Sequence, residues 1–313
     1  MLPENDLNRK LIAIGLTILI AGILTIWGIY GIGEYGMALF ILTPFFIGAS
    51  SVLLYGRKKN LTKGEAYSIA FTTLGLFALG LLVFAIEGVI CIAMSAPLAL
   101  LFTWIGALIG LNINNKKPES SSVTLLLIIA AIPLTAFVEK DVELDLISVT
   151  TSIEINATPE TVWKNVIEFP DLKEPTEFLF NAGISYPTSA EIDGIGIGAV
   201  RHCNFTTGSF VEPITVWDKP NLLKFDVEES PSPMTELNFW DIDAPHLHDF
   251  FLSRKGQFRL TELPNGNTLL EGTTWYTHKI KPSFYWQLWS NHIVHQIHQR
   301  VLVHIKDNSE NNQ

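Results

Sequence analysis

Residues 11–32 form an uncharged apolar run, and a helix needs roughly 20 such residues to cross a bilayer. Four more uncharged runs follow, at 37–55, 67–86, 89–111 and 123–138. In lipid such segments fold as helices, because only a helix pairs every backbone N–H and C=O within itself. Charge divides the chain at the same place. Residues 1–138 carry 8 Lys/Arg against 6 Asp/Glu, and residues 139–313 carry 13 against 25. The expectation is five transmembrane helices over residues 1–139 and an acidic globular domain over residues 140–313. The first run lacks a small-residue cleavage site, so it reads as an anchor and not as a removed signal peptide. The acidic surplus of the second half would repel phosphate, which disfavours a nucleic-acid partner. The lipid bilayer is the partner the composition implies.

The basic residues set an expected orientation. Arg9 and Lys10 precede the first run; Arg57, Lys58, Lys59 and Lys63 follow the second; Lys116 and Lys117 follow the fourth. The alternate connections, around Glu34 and Glu87, hold no Lys or Arg. A multi-pass protein of the cytoplasmic membrane, N-terminus inside and C-terminal domain outside, satisfies all of these. The acidic run Glu139, Asp141, Glu143 and Asp145 agrees. Glu87 reads as a headgroup-level carboxylate in a tight turn, with a proton or ion site as the sharper alternative. Pro97 is expected to kink the fourth helix. Gly106 and Gly110 form a small-xxx-small pair suited to close helix packing. No charge cluster marks a transport path.

Residues 147–172, ISVTTSIEINATPETVWKNVIEFPDL, organise the second half. Ile147, Val149, Thr151, Ile153 and Ile155 alternate with polar residues, which predicts a strand with one buried face. Thr158 then offers a helix cap and Pro159 suits the first helical position. Val162, Trp163, Val166 and Ile167 follow at helical spacing. A short helix or turn is expected over 171–181. Strands are expected at 184–192, 199–206, 210–217, 222–228, 257–263 and 268–278. A final helix begins at Lys281-Pro282 and runs to about residue 306.

The order β-α-α-β-β-β-β-β-β-α, with the phrase ATPETVW, resembles the SRPBCC superfamily of START-like domains. The nearest likeness is to bacterial membrane-anchored members labelled polyketide cyclase/dehydrase or lipid transport. The resemblance implies an α+β helix-grip fold, in which a curved antiparallel sheet grips a long C-terminal helix around a hydrophobic cavity. That label implies a fold more than a reaction.

Strand parity suggests which side chains face inward. Ala199, Arg201, Cys203 and Phe205 share one face; Phe210, Glu212, Ile214 and Val216 share another. A turn at Thr207-Gly208 or at Gly208-Ser209 puts both sets on one side of the sheet. Arg201 and Glu212 then form an inward charge pair, either a headgroup anchor or a structural ion pair. A two-residue Asn265-Gly266 turn would align Phe258 and Leu260 with Leu269, Glu271, Thr273 and Trp275, making Glu271 a second inward carboxylate. The loop over 231–253, with Phe239, Trp240, His246, His248, Phe250 and Phe251, reads as a lid, a membrane-contact surface or plain packing. Candidate ligand-binding residues are therefore Arg201, Cys203, Glu212, Glu271, Trp275, Trp240 and His246.

No metal or cofactor is expected. His292 and His295 fall opposite the Trp286, Trp289, Ile293, Ile297 and Val301 stripe, with His298 at its edge. Nucleophile elbows, phosphate loops and H-E-x-x-H are absent. Cys203 and His202 are strand neighbours on opposite faces, a poor nucleophile–base pair. Three functions stay open. The first is binding or transfer of a lipid, polycyclic or isoprenoid-like molecule. The second is a cyclase or dehydratase using Glu212 or Glu271. The third is a structural or sensory membrane protein without a ligand.

Overall fold

The computed structural model describes residues 5–57, 59–139, 144–240 and 242–311. Lys58, Asp141 and Glu143, which entered the charge argument, lie outside the described residues. The chain divides into two compact units. One comprises Met1–Glu143 with Glu236–Pro245 and Ile280–Pro282; the other comprises Leu144–Thr235, His246–Lys279 and Ser283–Gln313.

The first unit is helical. Its helices are α1 (Asp6–Ile26, continued by a π-helical turn Trp27–Ile32), α2 (Thr43–Tyr55, preceded by Ala38–Leu42), α3 (Lys63–Val83), α4 (Val89–Lys116) and α5 (Ser121–Glu139). Five helices among the described residues are long and apolar enough to cross a membrane. The most enclosed is α2, and glycines explain how it packs. A Cβ on Gly106 of α4 would collide with the Phe45 carbonyl oxygen and sit 3.0 Å from the Ala49 nitrogen. One on Gly48 of α2 would collide with the Thr103 carbonyl oxygen. The two backbones touch where neither residue has a side chain. Thr103 adds a hydroxyl bond of 3.1 Å to the Pro44 carbonyl. Helix α4 stays helical through Pro97 instead of breaking there.

The polar ends of these helices are tied locally. Thr62 and Glu65 form a reciprocal capping box on α3. Lys59 Nζ donates to Glu65 Oε1 at 2.8 Å and to the Tyr55 hydroxyl at 3.0 Å. Glu139 accepts the Met37 N–H, and the Lys281 ammonium donates to the Glu139 carbonyl at 2.8 Å. Glu87 is buried, not solvated at the headgroup level, with 6% of its surface exposed.

The segment Glu236–Pro245 belongs to this unit. The Val89 N–H donates to the Leu237 carbonyl at 2.9 Å. Asn238 Nδ2 donates to the Glu87 carbonyl at 3.1 Å, and Trp240 Nε1 to the Val83 carbonyl at 3.2 Å.

The second unit is an α+β helix-grip domain. Its elements are β1 (Ile147–Ile155), α6 (Pro159–Ile167), α7 (Phe178–Asn181), β2 (Pro187–Asp193), β3 (Val200–Phe205), β4 (Gly208–Asp218), β5 (Leu222–Asp226), β6 (Phe251–Glu262), β7 (Thr268–His278) and α8 (Ser283–Asn311). The strands form one antiparallel seven-stranded sheet in the order β1-β7-β6-β5-β4-β3-β2. Its inward face and α6 meet α8 in a single core that includes Trp163, Ile214, Leu223, Leu270, Leu302 and Ile305. Trp163 meets Trp217 edge-on, with ring centroids 5.6 Å apart. Thr158 does not cap α6 through its side chain; its hydroxyl pairs with that of Thr161 at 3.2 Å.

Candidate functional site

A cavity of about 110 Å³ lies between the sheet and α8. Its wall is mainly apolar: Phe205, Phe210, Phe251, Phe258, Val294 and Ile297 line it, with Arg201, Cys203, Glu212 and His298 among the polar members. Gly256 makes room on the sheet side, because a Cβ there would sit 2.5 Å from two ring carbons of Phe225.

The β3–β4 hairpin builds the charged corner. Its loop is Thr206-Thr207, so Phe205 pairs with Gly208, Cys203 with Phe210 and Arg201 with Glu212. This differs from both anticipated turns. The shifts are by an even number of residues, so every side chain keeps its expected face. Arg201 and Glu212 form a buried salt bridge through Nη1 and Oε2. Arg201 Nε donates to the Ile167 carbonyl at 3.2 Å. The rings of Phe169, Phe225 and Phe258 lie 5.6, 5.7 and 5.7 Å from the guanidinium carbon. Only 1% of Arg201 and 6% of Glu212 is exposed.

Burial pushes the Glu212 carboxyl up, and the Arg201 charge pulls against it. Burial also opposes the charge on Arg201, but Glu212 and Cys203 outweigh it and keep the guanidinium protonated. Burial pushes the Cys203 thiol up to about 12, which leaves it a poor nucleophile at neutral pH.

Glu271 and Trp275 do not join this corner. The β6–β7 loop spans five residues, 263–267, closed by the Leu263 N–H on the Asn267 carbonyl at 2.8 Å. That register pairs Phe258 with Gly272, Leu260 with Leu270 and Arg259 with Glu271. A change of one in register parity moves the whole set to the other face. Gly272, Thr273 and Thr274 line the cavity, whereas Glu271 and Trp275 do not; the Thr273 hydroxyl itself pairs with that of Thr150 at 2.9 Å. Trp275 instead lies under the Lys255 ammonium, 5.3 Å from its ring centre. Trp240 belongs to the helical unit, and His246, although buried, is not in the cavity wall.

Sequence reasoning missed His298. The buried face of α8 carries Val294, Val301, Leu302 and Ile305, and His298 sits within it, not at its edge. Its Nδ1 pairs with the Thr151 hydroxyl at 3.1 Å and its Nε2 with the Thr274 hydroxyl at 2.8 Å. His295 Nδ1 shares the Thr151 hydroxyl at 2.8 Å. Burial, helped by His295, pushes the His298 pKa down to about 4. The neutral ring therefore contributes stability in full above its ordinary value of 6.5, and that contribution is lost as pH falls toward 4. The loss should approach ~3 kcal/mol, from about 1.4 kcal/mol per pKa unit. In urea unfolding of the full chain, His298→Gln should flatten the stability difference between neutral pH and pH 4. A variant with an unchanged acid slope would show that His298 is not the titrating group.

No family model matches the chain, and no curated protein matches it. Solved structures are similar to its C-terminal half. Norcoclaurine synthase from Thalictrum flavum, in complex with dopamine and hydroxybenzaldehyde, is 14% identical over 54% of this chain and 90% of its own, with a TM-score of 0.36. The Aha1 dimer from Colwellia psychrerythraea is 14% identical over 52% of this chain and 96% of its own, with a TM-score of 0.31. A protein from Nitrosospira multiformis is 18% identical over 53% of this chain and 100% of its own, with a TM-score of 0.35. The assignment of the helix-grip class rests on this chain's own strand order and on the helix its sheet encloses.

Proposed function

We propose that the helix-grip unit is an SRPBCC-like receptor for a small apolar molecule, carried on a multi-pass membrane anchor. The observation that carries this reading is the aromatic and aliphatic cavity against α8. Apolar burial would supply the affinity and the few polar groups the orientation. An apolar cavity of about 150 Å³ accepts benzene, so a space of about 110 Å³ suits one ring or a short alkyl segment. A whole lipid or a polycycle would need the wall to open. Glu212 has an oxygen committed to Arg201, which weighs against the general-base role of a cyclase or dehydratase. A hollow interior weighs against a purely structural domain.

Methyl-resolved NMR of the full chain in nanodiscs tests the binding reading. Toluene should shift the methyl signals of Val294, Ile297, Val301 and Leu302, and Val294→Phe should abolish those shifts. Toluene that leaves these signals unmoved would sink the proposal.

The proposed location is the outer side of the cytoplasmic membrane. It is supported by five apolar helices and by the basic residues in alternate connections. A cysteine placed at the exposed Ile195 should react with an impermeant reagent in intact cells. Labelling only after lysis would place the domain inside.

A further inference from the structure

An inward arginine in an apolar pocket suggests an anchor for an anionic headgroup, and the geometry argues the opposite. The Arg201 guanidinium is already bound on two edges, by Glu212 and by the Ile167 carbonyl. Three phenylalanine rings surround it. Water reaches 1% of its surface even though it borders the cavity. Lys255 is the only other Lys or Arg in the wall among the described residues. Its ammonium lies over Trp275, whose side chain is on the other face of the sheet.

An incoming anion therefore has two routes. It sits in the cavity without a counter-ion, or it displaces Glu212 and leaves that carboxylate buried and unpaired. Both leave a desolvated charge uncompensated, which is costly. An uncharged ligand meets no such penalty. Its polar group would find Ser253, which pairs with inward-facing Tyr276 across β6 and β7, and the Thr274–His298 pair.

Resting on the binding reading above, we propose that this cavity selects uncharged ligands, a single ring or short chain bearing one hydrogen-bonding group. It excludes organic anions because Glu212 has already neutralised Arg201. Glu212 is then the residue that sets charge specificity.

The same methyl NMR experiment, on the full chain in nanodiscs at neutral pH, compares benzyl alcohol with benzoate. Benzyl alcohol should bind at least about tenfold more tightly, a difference of about 1.4 kcal/mol. Benzoate binding as well as the alcohol, or better, overturns the proposal. Glu212→Gln should gain benzoate binding, because Arg201 loses its counter-ion; a folded variant that gains none overturns the role given to Glu212. If that variant does not fold, Arg201→Met with Glu212→Leu decides. It should keep the preference for the alcohol, and a gain of benzoate binding there also overturns the role. Failure of toluene to bind would remove the binding reading itself. Toluene binding without discrimination between alcohol and acid would remove only this inference.

Discussion

Arg201→Met should cost the helix-grip unit about 3–5 kcal/mol, the usual result of stranding one partner of a buried ion pair. The variant leaves Glu212 at 6% exposure without its counter-ion, and it opens the Ile167 carbonyl that Arg201 Nε now satisfies. Burial already pushes the Glu212 carboxyl up and the Arg201 charge pulls against it, so removing Arg201 takes away the one strong counterweight to that burial. Adding Glu212→Leu should recover most of the loss, because a buried pair replaced by apolar groups of similar size is often neutral. The measurement is urea unfolding of both variants in the full chain, followed by tryptophan fluorescence. A single variant as stable as the parent would mean that the pair is solvated.

Gly106→Leu should damage the helical unit on a similar scale. Any side chain at Gly106 runs into the Phe45 carbonyl, and Gly48 faces the Thr103 carbonyl in the same way. Backbone atoms on both sides cannot step aside as a flexible side chain would, so α2 and α4 must separate. Overpacking of this kind costs about 1–3 kcal/mol where neighbours can adjust, and the cost here should lie at or above that upper end. Gly75→Leu is the control, because nothing lies within 4 Å of a Cβ at Gly75. Thermal melting in detergent should separate the two variants, and equal midpoints would contradict the backbone contact.

Much of this fold was readable from residues alone, and each failure has a physical cause. The alternation from Ile147 to Ile155 and the stretch from Thr268 to His278 are strands at their expected bounds. The Arg201–Glu212 pair was also legible, because every plausible β3–β4 turn kept the same parity. The β6–β7 turn was not. Asn265-Gly266 signals a tight turn, but the loop takes in Leu263, Pro264 and Asn267 as well. That odd length turned Glu271 and Trp275 away from the cavity. On α8 the hydropathy stripe found Trp286 and Val301, which are buried, and Ile297, which lines the cavity, but it passed over the buried Val294. A histidine on the inner face hides the true phase, since its bonds to Thr151 and Thr274 come from strands far away in sequence. The aromatic loop followed another rule. Leu237, Asn238 and Trp240 bond to backbone groups at the ends of α3 and α4, and no local pattern encodes that partnership.

The most direct measurement is a crystal structure of the full chain under xenon pressure. Xenon should occupy the space between α8 and the sheet, against Val294, Ile297 and Phe258, with the Arg201–Glu212 bridge intact beside it. Side chains filling that space with no xenon bound, or an Arg201 turned out to solvent, would contradict a hollow receptor with a closed ion pair.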